Sequence, residues 1–190
     1  TAVANGDDPV GVNAMLDLLR DKEATKGAHV SANSGENEWY TPSNLIECAR
    51  SFMGAIDLDP ASSALANETV RASTWYGVEH DGLAQRWLGR VWMNPPYAAP
   101  LITEFSVLIA HKYDVGEIDQ AIVLVNNATE TKWFHALLDS ASAVCFPKSR
   151  VRFIDQEGKP SGAPLQGQAL IYFGKNTERF RVGFAKFGAI

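Results

Sequence analysis

Val91-Trp92-Met93-Asn94-Pro95-Pro96-Tyr97 is the stretch on which the reading of this chain turns. Three apolar residues make a short buried strand. Two consecutive prolines then end it, because they remove two backbone donors and fix φ twice. The tetrapeptide therefore belongs to neither a ladder nor a helix. It is a rigid turn at the C-terminal end of a strand, where open α/β sheets hold their ligands. Such a turn aims the Asn94 side-chain oxygen and the Pro95 carbonyl at one donor group. An amino group with two N–H bonds suits that pair, since each acceptor takes one hydrogen. Tyr97 adds a flat face on which an unpaired base can stack.

Outward from this turn the pattern alternates. Downstream, residues 101–113 read as a helix with Leu101, Phe105, Leu108 and Ile109 on one side. Residues 121–125 (AIVLV) are continuously apolar, as a central parallel strand should be. A helix is expected over 133–138, then strands over 143–146, 151–154 and 169–173, with a Gly- and Pro-containing loop over 158–167. Upstream, Thr41-Pro42 is a helix start, with Thr as N-cap and Pro in the first helical position. Leu45, Ile46, Ala49, Phe52 and Met53 follow at helical spacing and Gly54 closes the element. Residues 55–59 (AIDLD) read as a strand ending in acid, followed by Pro60 and a helix to about Arg71. The expected fold is a single α/β domain with a mostly parallel sheet, helices on both faces and an antiparallel edge hairpin. That domain spans 38–190. Residues 1–37 read as an N-terminal arm, partly flexible, with a short helix around Met15, Leu16, Leu18 and Leu19.

Composition limits the function classes. The 190 residues are 46% apolar and 21% charged, with a formal net charge of −5, which describes a soluble globular domain rather than a membrane protein. Cys48 and Cys145 are the only cysteines, without a partner at metal spacing, so two reduced core thiols, a cytoplasmic location and no metal site are expected. The charge is uneven. From Cys145 onward eight basic residues face three acidic ones, a local +5 that leaves the rest of the chain at −10. A basic end on an acidic body can present a phosphate-facing surface, and it can equally be a solvated charged face.

The chain resembles the phage-type Dam family of DNA adenine-N6 methyltransferases over about residues 38–174. The carriers are Glu38-Trp39-Tyr40-Thr41-Pro42, Asp57-Leu58-Asp59-Pro60-Ala61-Ser62, and His80-Asp81-Gly82-Leu83 followed by Trp87. After the Asn94-Pro95-Pro96-Tyr97 tetrapeptide come residues 127–134 (NATETKWF) and Arg150-Val151-Arg152-Phe153. The resemblance implies a class I, Rossmann-like methyltransferase domain that takes S-adenosylmethionine as cofactor and double-stranded DNA as partner. It places Tyr40, Thr41 and Pro42 near the cofactor's methionine end and Asp57 and Asp59 near its ammonium group, with Pro60 and Ala61 also in the cofactor-binding set. Asp81 would accept from the cofactor's adenine amino group, with Leu83 packed on the ring. Family position implies Phe153 as the second wall of the base pocket, and a core Phe in a β-strand is the equal alternative; Lys148, Arg150 and Arg152 are the candidate contacts for backbone phosphates.

One departure concerns glycine. Many methyltransferases follow the first strand with a glycine-rich turn, whereas this chain has Asp59-Pro60-Ala61-Ser62-Ser63. Asn-Pro-Pro-Tyr would also serve a protein glutamine amide or cytosine N4, and a catalytically silent DNA-binding module of the same fold is a further alternative. The length leaves no room for a separate recognition domain, so specificity is expected from loops over 75–90, 126–132 or 155–168, or from the arm. Neither the recognition sequence nor the oligomeric state is legible.

Overall fold

The computed structural model describes residues 40–155, 157–160 and 166–190. The N-terminal arm, Glu38, Trp39 and part of the loop over 155–168 lie outside the described residues.

Seven strands form one sheet: β1 (Leu58–Asp59), β2 (Thr74–Trp75), β3 (Gly89–Met93), β4 (Ile118–Asn126), β5 (Ala143–Pro147), β6 (Gln168–Phe173) and β7 (Gly188–Ala189). Their order is β2-β1-β3-β4-β6-β5-β7. The first four pair in parallel, and β6, β5 and β7 complete the sheet in antiparallel pairings. Among the described residues there are five α-helices, α1 (Ser43–Met53), α2 (Ala64–Val70), α3 (Leu101–Asp114), α4 (Lys132–Ser140) and α5 (Thr177–Phe184), and two short 3-10 turns, Val78–His80 and Gly82–Ala84.

The layering follows from the two-residue period of the central strands. Val91, Met93, Ala121, Val123 and Val125 join Ile102, Phe105 and Ile109 of α3 and Trp133, Phe134 and Leu137 of α4 in one cluster. Trp92, Ile122 and Leu124 join α1 and α5 through Leu45, Ile46, Phe52, Phe180 and Phe184 in the other. Buried on both faces, β4 needs its continuous apolar run. The second cluster is aromatic at heart: Phe52 meets Tyr172 edge-on at 5.0 Å, while Phe180 stacks on Tyr172 at 5.0 Å and on Phe184 at 4.4 Å. Each such pair adds roughly 0.5–1.5 kcal/mol beyond the area it buries.

The expected α/β architecture is present, with three local differences. Pro42 takes ψ 137°, outside the helical range, so α1 starts one residue later than expected. Thr41 makes no side-chain cap, and the Pro42 carbonyl receives the Leu45 amide at 3.1 Å. Residues 151–154, expected as a strand, run outside the sheet. Only Ile154 bridges there, to Tyr40 and to Pro160, because Gln168 takes the Val151 amide with its side chain and leaves no backbone ladder. Helix α5 and strand β7 were not foreseen, and Phe180 and Phe184 of α5 close the second cluster.

The strand order places the candidate site. From β1 the chain steps outward to β2, then returns to the other side of β1 for β3. That reversal is a topological switch point, and it opens a crevice at the C-terminal ends of β1 and β3.

Candidate active site

Asn94 leaves β3 directly into that crevice. Asn94 is half-buried, Pro95 buried, and Pro96 and Tyr97 are exposed. The Tyr97 hydroxyl donates to Asn94 Oδ1 at 2.9 Å and lies 3.5 Å from the Leu124 carbonyl at the end of the neighbouring strand. Burial of this hydroxyl pushes its pKa up, so it is a neutral donor, while the residue as a whole stays 38% exposed. The phenol tip points inward and ring surface faces solvent.

Across the crevice, Asp59 ends β1 with only 3% of its surface exposed. Desolvation raises its pKa to about 7, against the partial help of the Ala61 amide, which reaches Oδ1 at 3.3 Å. Among the described residues no cation pairs with it. The buried Ser62 hydroxyl, three residues on, lies beside the same carboxyl and also lowers its pKa, by less than desolvation raises it. A buried carboxyl without a cation beside it fits a ligand that carries positive charge.

The same strand separates the two aspartates grouped by sequence. Asp57 lies on the N-terminal side of β1, and Arg90 grips it in a bidentate pair, Nε to Oδ2 and Nη2 to Oδ1, both 2.7 Å. The Arg90 backbone amide adds a third bond at 2.8 Å. Those bonds hold the Asp57 carboxyl below the usual carboxylate range. Asp57 is therefore a strut between β1 and β3, and the crevice keeps Asp59 alone of the two. Arg90, preceded by a glycine at a strand start, gave no signal in the sequence.

The turn after β1 gains its close approach from elsewhere. A Cβ on Gly82 would sit 1.9 Å from the Pro60 carbonyl oxygen, so only glycine allows the segment containing Asp81 to lie on Pro60. The Trp87 indole donates to the Gly82 carbonyl at 2.8 Å and fixes it there. Asp81 is exposed and held at φ 49°, which a non-glycine residue adopts at some cost. Leu83 packs half-buried against the first core cluster. The missing glycine of the turn is thus supplied by the neighbouring loop.

A strap runs along the same edge of the sheet. The Lys148 amide donates to the Phe187 carbonyl at 2.9 Å, the Val151 amide to Gln168 Oε1 at 2.8 Å, and Tyr40 and Ile154 exchange two amide bonds of 2.8 Å. Gln168 is itself buried and ties the strap to Asn126 at the end of β4, with Nε2 3.5 Å from Asn126 Oδ1. Lys148, Arg150 and Arg152 are exposed, whereas Val151 and Phe153 are 7% exposed in the second core cluster. Phe153 therefore serves the core, and its expected role as a stacking wall is not what its burial provides. Tyr40, Thr41 and Pro42 join the site edge through the Tyr40–Ile154 bridge. Gln168 was missed because a single polar residue at a strand start carries no motif.

Among the described residues no cluster of His, Cys, Asp and Glu could hold a metal, and no helix is long and apolar enough to cross a membrane. A groove between α1 and α5, lined by Cys48, Ser51, Phe52, Arg179 and Lys186, shares none of the candidate residues.

The family described as DNA N-6-adenine-methyltransferase (Dam) matches residues 28–183 of this chain. A DNA N-6-adenine-methyltransferase of Haemophilus phage HP1 (strain HP1c1) is 29% identical over 143 residues, which cover 74% of this chain and 80% of that relative. No solved structure matches.

Proposed function

The chain belongs to the Dam family of DNA N-6-adenine-methyltransferases, and from that premise we propose that it methylates N6 of an adenine extruded from duplex DNA, with Asn94, Pro95, Pro96 and Tyr97 as its catalytic turn. The observation that carries this reading is the turn itself: two acceptors and an exposed tyrosine ring at the switch point, opposite a buried carboxylate without a cation.

S-adenosylmethionine would supply an electrophilic methyl group on a sulfonium. Asp59 would face its cationic amino-acid end, with Pro60 and Ala61 shaping the turn and Tyr40, Thr41 and Pro42 completing that wall. Asp81 would receive the adenine amino group of the cofactor, and Leu83 would pack beneath the ring. The burial of Asp59 without a cation supports this assignment, and the bidentate Arg90 pair favours Asp59 over Asp57 as the residue that meets the ligand.

The residues of the turn address the weakness of the nucleophile. The N6 lone pair of adenine is delocalised into the ring. Hydrogen bonds from N6 to Asn94 Oδ1 and to the Pro95 carbonyl favour the pyramidal nitrogen that develops during attack, so they stabilise the transition state more than the ground state. The bound cofactor would supply the methyl group, its S–C bond breaking as the N–C bond forms, and N6 would then release a proton that has become acidic. No protein nucleophile is required. Extruding the base costs a few kcal/mol, and stacking on Tyr97 returns roughly 1–3 kcal/mol. Lys148, Arg150 and Arg152 are the proposed phosphate contacts.

The test is a transfer assay with labelled S-adenosylmethionine, mixed-sequence duplex DNA and nucleoside analysis. N6-methyladenine is expected, and Asn94→Ala should lower kcat about 100-fold or more, the scale of losing one oriented acceptor for developing charge. Label on cytosine N4, or on protein alone, would overturn the reading.

A further inference from the structure

Tyr97 offers the site more than a stacking face. Its hydroxyl donates to Asn94 Oδ1 at 2.9 Å. Among the described residues, the Asn94 carboxamide has no other hydrogen-bond partner. The usual way to hold an asparagine oxygen in a turn is a backbone N–H two residues on, as in an Asx turn. Here that residue is Pro96, and the one before it is Pro95, so neither of the two residues that follow Asn94 offers it a backbone donor. The same prolines that stiffen the backbone leave the carboxamide free to rotate. The phenol supplies what they removed.

The carboxamide oxygen has two lone pairs. One is taken by the Tyr97 O–H, and the other stays available to an N–H from a ligand in the crevice. The phenol is itself anchored: its tip is withdrawn beside the Leu124 carbonyl, 3.5 Å away, while ring surface remains open. A group so placed can orient Asn94 without leaving the position from which it stacks.

We propose that the Tyr97 hydroxyl is a positioning group for Asn94, fixing the carboxamide oxygen so that its second lone pair meets the amino group of the extruded base. This deepens the adenine reading above and rests on it. Stacking and positioning then reside in different parts of one side chain and can be separated by removing a single oxygen.

Tyr97→Phe keeps the ring and loses the hydroxyl. The expected result is a kcat about tenfold lower, the size of one lost orienting hydrogen bond. The KM for DNA should stay within about twofold, and cofactor affinity and melting temperature should not change. Fluorescence of 2-aminopurine, placed at the target mapped from wild-type products, should show the same extrusion. Tyr97→Ala should lose both kcat and the extrusion signal. An unchanged kcat in Tyr97→Phe would overturn the proposal. So would a raised KM with lost extrusion, which would make the hydroxyl a base-binding group. A wild-type protein that yields no N6-methyladenine would end the adenine reading itself, and would be seen in the first control.

Discussion

Asp57 and Asp59 stand two residues apart on one strand, yet their environments give them opposite chemistry. Arg90 holds Asp57 ionised, below the ordinary carboxylate range, whereas burial lifts Asp59 to about 7. For Asp59 the sign of the pH dependence follows. The folded carboxyl keeps its proton up to about pH 7, while in the unfolded chain it is lost near the ordinary value of 3.8. Between those values the folded state binds more protons, so this group's contribution to stability falls as pH rises from about 4 to about 7, then levels off. Asp59→Asn removes that loss. Its stability at pH 8 is expected to exceed that of the wild type by on the order of a few kcal/mol at most, seen as a higher melting temperature when calorimetry at pH 5 and pH 8 is compared. Cofactor affinity should move the other way. A cationic ligand beside Asp59 favours its ionised form, so S-adenosylmethionine affinity should rise by up to about tenfold per unit between pH 5.5 and 7. Titration calorimetry should find Asp59→Asn weak and flat over that range. A wild type equally flat would remove Asp59 from the cofactor wall.

The elements around the crevice depend on two tethers, Gly82 on Pro60 and Gln168 on Val151, and neither has a motif of its own. Gly82→Ala would drive a Cβ into a backbone carbonyl, which cannot swing aside as a flexible side chain can. It is expected to lower the melting temperature by several degrees and to weaken cofactor binding about tenfold, because the segment with Asp81 and Leu83 must lift off the turn. Gly183→Ala in α5 meets nothing within 4 Å and is expected to be neutral or stabilising by roughly 0.5–1 kcal/mol, as alanine is in helices. A comparison of the two melts separates a packing effect from a general glycine effect. This contrast also shows where the sequence was legible. Residues 121–125 and the α1 stripe were read correctly because burial on both faces, or on one face, writes itself as a period. The turn at residues 94–97 was legible as a turn because two consecutive prolines exclude a helix and a ladder there. The strap over 151–154 was misread as a strand, since its apolar-polar alternation is that of a strand. The ladder was lost to a side-chain acceptor, Gln168, contributed from 17 residues away. The same long range hid the Asp57–Arg90 pair, whose partners are 33 residues apart.

At the scale of the whole molecule, the net charge of −5 opposes a polyanion, so binding has to come from where the cations are held rather than from how many there are. The strap provides that placement. Buried Val151 and Phe153 alternate with exposed Arg150 and Arg152, and three sets of hydrogen bonds pin it from Phe187 through Gln168 to Tyr40. Its arginines therefore stand at the C-terminal edge of the sheet, the edge that carries Asn94 and Asp59. Lys175 follows β6 at the opposite edge, equally exposed. If position governs, Arg150→Ala and Arg152→Ala should each reduce the slope of log affinity for duplex DNA against log salt by about 0.9, the increment for one lost phosphate contact. Both should lose methylation first at about 0.2 M salt and regain it at low salt, with cofactor affinity unchanged. Lys175→Ala should leave the slope as it was. Slopes unchanged from the wild type in all three variants, measured by fluorescence anisotropy across a salt series, would mean that the acidic body meets DNA through some other face. Equal losses would mean that overall charge, and not the strap, sets the affinity. Only a loss confined to the strap makes its tethers part of how the enzyme holds its substrate, and Gln168→Leu should then weaken DNA binding as the arginine variants do, without touching a phosphate.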